Sequence, residues 1–524
     1  MSLYYDAATV LSGSTQEDSF KSRIYGNKLE LKSKPAHLYA LISETAKYNH
    51  FLKEVIDNAA FLSHESKLTP ILSLLLVHDH LFAKGGIAAP SGHTLRRAVE
   101  KHKARLQAEF TKARLRRKCA TVQDLKALLL REHPPAQRSQ PRWIRVNALK
   151  SSLSDQLATT FKGYRTDATI SEVARSFGAT KVLAMDPNIP DLLALAPDAD
   201  FTKTNAYTDG KLILQDKASC FPAYLLAGDN DSAPNDCIDG CAAPGNKTSH
   251  LAALISGSST IYACERDGRR SKILQSMIEK SGASNVNVLS AQDFLSIDPQ
   301  HARYKHVTHL LLDPSCSGSG IVGREDVPKL ILPRDPRMQK ATTEKGSKKR
   351  KRDQQDRTEI EVLDEEVEAE ETRDATTDAT RLQKLSTIQA KLVEHAFAFP
   401  AATRITYSTC SVHVEENELV VSRLLSSAVA KTRGWGVLRR QDQVAGLRDW
   451  QHRGLVDAGS KLAELGAELL TTADLDACIR CHPGGDDGTM GFFVCGFVRS
   501  TGDIPGEDVN HNQADGDAWD GFSD

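Results

Sequence analysis

No run of about 18 apolar residues occurs in the 524-residue chain, which argues against a membrane-spanning helix. An excess of either charge is also missing. The 67 Lys and Arg residues nearly cancel 68 Asp and Glu, so only local basic patches can point to a polyanionic partner. The opening Met1-Ser-Leu-Tyr-Tyr-Asp-Ala7 has neither the basic nor the apolar region of a secretory signal. Ten cysteines scattered through a chain of this kind read as free thiols in a reducing compartment. Cys478-Ile-Arg-Cys481-His482 has haem-attachment spacing, but that chemistry requires export, and no second cysteine pair lies near enough for zinc. No metal is expected. The dinucleotide fingerprint G-x-G-x-x-G is absent as well.

What is present divides into segments, and the length calls for two or three domains. Residues 1–140 read as a helical region, with Leu38, Leu41, Ile42, Leu52, Val55, Ile56 and Ala59 recurring at helical spacing. Between Arg96 and Lys118 lies a strongly basic helix, a candidate for phosphate contact against the plainer reading of a solvated face. Residues 141–206 read as a small α+β unit resembling an RNA-recognition fold, with strands at Arg142–Asn147 and Lys181–Met185 around a helix at Ser151–Phe161. From 207 to 500 strands and helices alternate, the mark of a parallel sheet covered on both faces. A charged insertion, 333–380, interrupts that order and buries too little apolar surface to offset its ordering entropy, so disorder is expected. Within it Lys348-Lys-Arg-Lys-Arg352 reads as a nuclear localisation signal, and residues 501–524 as an acidic, mobile tail.

The chemistry concentrates at strand ends. In Asp239-Gly-Cys-Ala-Ala-Pro-Gly-Asn-Lys-Thr248 a strand runs into small residues that let backbone approach a ligand, and the next helix begins with free amides. A phosphate-binding loop is nearly matched, but Asn246 sets Lys247 one residue late. Glu265 ends the next strand, where an acid can accept from ribose hydroxyls, and Arg270 can pair with it or line the same pocket. Asp293 follows a third strand and is placed to meet an adenine amino group. The fourth strand delivers Asp313 and Cys316, and the fifth Cys410, with a helix expected from about Glu415 to Leu425. One such cysteine is usually a buried small hydrophobe; two at neighbouring strand ends read as reactive.

Together the blocks Asp239–Thr248, Asp313-Pro-Ser-Cys-Ser-Gly-Ser-Gly320 and Tyr407-Ser-Thr-Cys-Ser411 resemble the Nop/Sun-domain family of RNA cytosine-5 methyltransferases. The likeness runs from Arg145-Val-Asn147, through Gln215–Cys220, to Gly491-Phe-Phe-Val494. Asn246 and Ser315 depart from the broader family's Gly and Pro, and both are similar to the subgroup that methylates large-subunit ribosomal RNA in the nucleolus.

The resemblance implies a Rossmann-like class I methyltransferase domain with a mostly parallel, seven-stranded sheet. It also implies S-adenosyl-L-methionine as cofactor, held by Cys241, Ala242, Ala243, Pro244, Gly245, Asn246, Lys247, Glu265, Arg270, Asp293 and Asp313. Cys410 would be the nucleophile at cytosine carbon 6, because carbon 5 attacks a methyl sulfonium only once a thiolate has made the ring an enamine. Cys316 would remove the carbon-5 proton or assist release, and Asp313 would contact cytosine N3. RNA, a nucleolar location and a monomer complete the expectation. Two other readings remain open. A DNA cytosine-5 methyltransferase would take its nucleophile from the Pro-Ser-Cys block. A non-catalytic assembly factor would keep the fold and bind RNA without turnover.

Overall fold

The computed structural model describes residues 3–12, 20–25, 29–65, 67–132, 140–176, 180–228, 235–255, 259–321, 328, 330–335, 380–456 and 458–500. Most of the expected insertion, its basic run Lys348–Arg352 and the tail 501–524 lie outside them.

In the N-terminal region the helices Pro35–Lys47, Asn49–Asn58, Pro70–Phe82 and Lys103–Arg116 pack round one core that includes Leu38, Phe51, Val55, Leu75 and Phe110. Pro70 opens its helix where no amide donor is needed, and Thr69 caps it by accepting from the Leu72 amide at 3.2 Å. The expected basic helix is two helices. Thr94–Lys101 ends at His102, and Lys103–Arg116 follows. Leu95, Val99, Leu106, Phe110 and Ala113 face the core, which turns most of the basic side chains outward.

A four-stranded antiparallel sheet comes next: β1 (Arg142–Val146), β2 (Leu183–Met185), β3 (Leu192–Leu195) and β4 (Leu212–Leu214), ordered β2-β3-β1-β4. The expected unit edge at 206/207 moves, because β4 pairs with β1 through Ile144 and Leu214. A three-residue apolar run does not reveal which sheet it joins. Side-chain hydrogen bonds fasten this unit to the part of the chain that follows it. Trp143 Nε1 donates to the Gly488 carbonyl (2.7 Å), Arg145 Nη2 to Ser249 Oγ (3.1 Å) and Asn147 Nδ2 to the Ser281 carbonyl (2.8 Å).

The large sheet contains β5 (Asp236–Asp239), β6 (Ile261–Glu265), β7 (Val286–Ser290), β8 (Val307–Leu312), β9 (Arg404–Thr409), β10 (Trp435–Val437), β11 (Ile479–Cys481) and β12 (Phe492–Arg499). Its order is β10-β12-β9-β8-β5-β6-β7, with β11 also on β12. Strands β5 to β9 pair in parallel, and β12 runs antiparallel to β9. The seven-stranded path is therefore the expected class I arrangement, plus an eighth short strand. β11 and β10 share one edge of β12, opposite Phe492–Val494 and Phe497–Arg499. Cys478, directly before that extra strand, and Cys481, at its end, are both buried. Sheet order reverses about β5, so the carboxyl ends of β5, β6 and β8 surround the crevice where such folds bind ligands.

Candidate active site

The loop after β5 is held by a buried carboxyl. Asp239 Oδ2 accepts from Thr248 Oγ1 (2.7 Å) and Oδ1 from the Cys241 amide (3.2 Å). Burial outweighs these bonds and pushes its pKa up to about 7. Glycine is required twice. A Cβ at Gly240 would lie 2.6 Å from Leu312, and Gly245 has φ +107° while a Cβ there would press Leu274 and Met277 at 3.1 Å. Gly245 is the N-cap of helix Asn246–Leu254, so the loop delivers that helix's first amides to the crevice. Ala242 and Ala243 are buried, Pro244 is exposed, and burial raises the Cys241 thiol well above its ordinary range. Asn246 Oδ1 is buried and has no protein partner.

Glu265, at the tip of β6, is nearly inaccessible. Its Oε1 accepts from the Asp267 amide (2.9 Å), and Oε2 lies 3.4 Å from Arg270 Nη1. Arg270 also donates to the Ala243 carbonyl at 2.8 Å, tying the first two strand ends together. Asp293 sits further out. Its carboxylate caps a short turn by accepting from the Leu295 amide (3.0 Å), and 41% of the side chain is exposed.

Beyond β8 and β9 the two cysteines converge, with Cys316 Sγ 3.1 Å from Cys410 Sγ. Both are free thiols. The hydrogen bond to Cys410 and burial push the Cys316 thiol far above its ordinary range, so Cys316 keeps its proton. Lys247 approaches from the side of the loop after β5. Burial opposes its charge, but Asp313 and Cys410 outweigh that and hold its pKa above the ordinary lysine value. Asp313 Oδ2 is 2.8 Å from Lys247 Nζ, and Oδ1 accepts from Ser408 Oγ at 2.6 Å. Asp313 is thus held between the Lys247 ammonium and the Ser408 hydroxyl.

A buried polar web, which motif reading missed, lies beneath the cysteines. The expected helix at Glu415 begins only at Glu418, because Val414–Glu416 forms a tight 3₁₀ turn. That turn sends Glu416 inward, where Oε1 accepts from the Ser317 amide (2.9 Å) and Gln389 Nε2 (3.0 Å), and Oε2 from Ser317 Oγ (2.5 Å). The available signal was Glu415-Glu-Asn-Glu418: a polar cluster directly after a reactive strand end is poorly explained as the start of an amphipathic helix.

Three family models match in series. The N-terminal domain of NOL1/NOP2/Sun domain family member 5 covers residues 36–126, and the ferredoxin-like domain of the same member covers 140–215. The 16S rRNA methyltransferase RsmB/F model covers 223–346. A 25S rRNA (cytosine-C(5))-methyltransferase of Schizosaccharomyces pombe is 36% identical over 95% of this chain and 92% of its own length. The chain belongs to the family of NOL1/NOP2/Sun domain member 5, the large-subunit rRNA cytosine-C5 methyltransferases. A 28S rRNA (cytosine-C(5))-methyltransferase of Mus musculus is 33% identical over 95% of this chain and 91% of its own length. A solved methyltransferase homologue of Pyrococcus horikoshii is 19% identical with a TM-score of 0.45, covering 78% of this chain and 96% of that one. The ferredoxin-like match ends at 215, one residue beyond β4, as the pairing of β4 with β1 requires.

Proposed function

We propose that this member of the family transfers a methyl group from S-adenosyl-L-methionine to carbon 5 of a cytosine in large-subunit ribosomal RNA, with Cys410 as nucleophile. The observation that carries the reading is the 3.1 Å approach of Cys316 and Cys410 beside the Lys247–Asp313 pair. A DNA enzyme using one Pro-Cys thiol has no need of the second sulfur.

The crevice suits the cofactor. Gly245 delivers the first amides of helix Asn246–Leu254, Asn246 Oδ1 is a buried acceptor without a partner, and Glu265 offers a carboxylate for ribose hydroxyls. Cys241 to Lys247, Glu265 and Arg270 would hold it, with Asp293 at the rim. When bound, it supplies an electrophilic methyl group.

The residues divide the remaining work. Lys247 and the Cys316 thiol both favour the Cys410 thiolate, which adds to carbon 6 of a cytosine taken out of its stack. The adduct makes carbon 5 an enamine carbon, which would accept the methyl group that the bound cofactor supplies. Loss of the carbon-5 proton to water restores the ring double bond as the S–C6 bond breaks and its electron pair returns to the Cys410 sulfur. Cys316, as a neutral thiol, stabilises the departing Cys410 sulfur, which fits release better than proton removal. Asp313 accepts from the cytosine amino group while Lys247 and Ser408 keep it oriented. A nucleolar site of action goes with such a substrate. The test is bisulfite mapping of large-subunit ribosomal RNA with and without this protein. One cytosine should lose protection when the protein is removed, and an unchanged map rejects the substrate.

A further inference from the structure

Glu416 and Asn417 are consecutive, and each holds the neighbours of a different cysteine. Asn417 brackets Cys410: its Oδ1 accepts from Thr409 Oγ1 (2.6 Å), and its Nδ2 donates to the Ser411 carbonyl (3.0 Å). Glu416 grips Ser317, beside Cys316, through both the amide and the hydroxyl. Gln389 completes the second bracket by donating to the Ser315 carbonyl at 3.1 Å and to Glu416 Oε1. Tyr407, on β9, lies within 3.1 Å of Gln389 Oε1 and donates to the Glu416 carbonyl at 2.5 Å. Glu416, Asn417 and Gln389 are completely buried. Ser411 Oγ lies 3.2 Å from Ser317 Oγ and 3.1 Å from Ser319 Oγ, closing the web between the two loops.

We infer that Glu416 and Asn417 are positioning residues that act as a caliper, setting the two sulfurs at contact distance, with Glu416 governing Cys316 and adduct release and Asn417 governing Cys410 and adduct formation. The physical reason is local. The Cys316 loop leaves β8 through Pro314 and runs into Ser317-Gly-Ser-Gly320, a glycine-rich stretch that does not by itself fix a side chain. Three donors converge on the Glu416 carboxylate, so an amide in its place loses the charge that strengthens these bonds and one of the two acceptor oxygens. The inference rests on the proposed assignment of Cys410 and Cys316, and its test keeps the two apart.

Full-length protein is incubated with protein-free large-subunit ribosomal RNA and S-adenosyl-L-methionine, and covalent protein–RNA complex is measured on denaturing gels. Trapping by 5-azacytosine-substituted RNA is measured in parallel. Glu416→Gln should accumulate adduct on natural RNA about tenfold over wild type, the rate equivalent of one charge-assisted hydrogen bond, while trapping at an ordinary rate. Asn417→Ala should trap about tenfold more slowly and accumulate nothing. Should Glu416→Gln fold poorly by circular dichroism, Ser317→Ala removes one of the same bonds and should show a smaller accumulation. The caliper is overturned if the two variants behave alike, or if neither Glu416→Gln nor Ser317→Ala accumulates adduct. Trapping that persists in Cys410→Ala would instead overturn the underlying assignment.

Discussion

The two cysteine loops and the basic face of the N-terminal helices use polar residues in opposite ways. Around Cys316 and Cys410 the polar side chains are mostly buried and bonded to one another, and Glu416, Asn417, Ser411 and Thr409 are wholly inaccessible. On the N-terminal face Arg97, Lys101, Lys103, Arg105, Lys112, Arg116 and Lys118 are exposed. Lys101 there only reaches Glu65 (3.2 Å), Lys112 Glu109 (2.8 Å) and Arg116 Glu54 (2.8 Å). A buried group must have its partner in place or the fold loses stability, whereas a solvated charge can change partners freely. One region fixes a geometry, and the other can follow a flexible polyanion.

The sharpest break in that comparison lies behind Cys410. Arg480 on β11 forms a two-pronged pair with Glu418 (2.7 and 2.5 Å) and donates to the Val412 carbonyl at 3.0 Å, all but sealed from solvent. Glu418→Ala leaves a buried guanidinium uncompensated and should cost about 3–5 kcal/mol by urea denaturation. A cost no larger than that of a surface change would show the web to be solvated.

Gly245→Ala comes next. It imposes a left-handed backbone on a residue with Cβ and should cost about 1–3 kcal/mol in stability. Affinity for S-adenosyl-L-methionine, read by calorimetry, should fall as well, because the loop would shift away from Leu274 and Met277.

Asp239 gives a pH signature. Its carboxyl titrates at about 7 when folded against 3.8 ordinarily, so the folded state holds the extra proton between those values. Stability contributed by this group is present below 3.8 and is lost as pH rises through about 7. In Asp239→Asn the melting temperature should fall less steeply than wild type over that window, and an identical slope would exclude the buried acid.

The smallest stability effect belongs to the basic face. Arg97→Glu with Lys103→Glu should alter stability by no more than about 0.5 kcal/mol. The salt dependence of RNA binding should nevertheless flatten, by roughly one in log–log slope for each phosphate that is no longer neutralised. An unchanged slope would remove the N-terminal face from RNA docking.

The motif-bearing loops were legible because their chemistry needs particular residues in order. Gly240, Gly245, Asp313, Cys316 and Cys410 are each dictated locally, and strand-end position alone brings them to one edge of the sheet. What was not legible depends on distant pairing. β4 looks like the start of the parallel series until it is seen against β1. That Cys478 and Cys481 are core residues follows only once β11 is seen paired with β12. Glu416 looks helical, because the 3₁₀ turn that buries it is stabilised by Ser317, 99 residues earlier in the chain. Side chains whose role is to satisfy a remote loop leave no periodic trace.

The central claim is the division of labour between the two sulfurs, and a mechanism-based trap tests it directly. RNA carrying 5-azacytosine should form a denaturation-stable complex with the wild-type protein and with Cys316→Ala, and none with Cys410→Ala. A complex that persists in Cys410→Ala and disappears in Cys316→Ala would contradict the account.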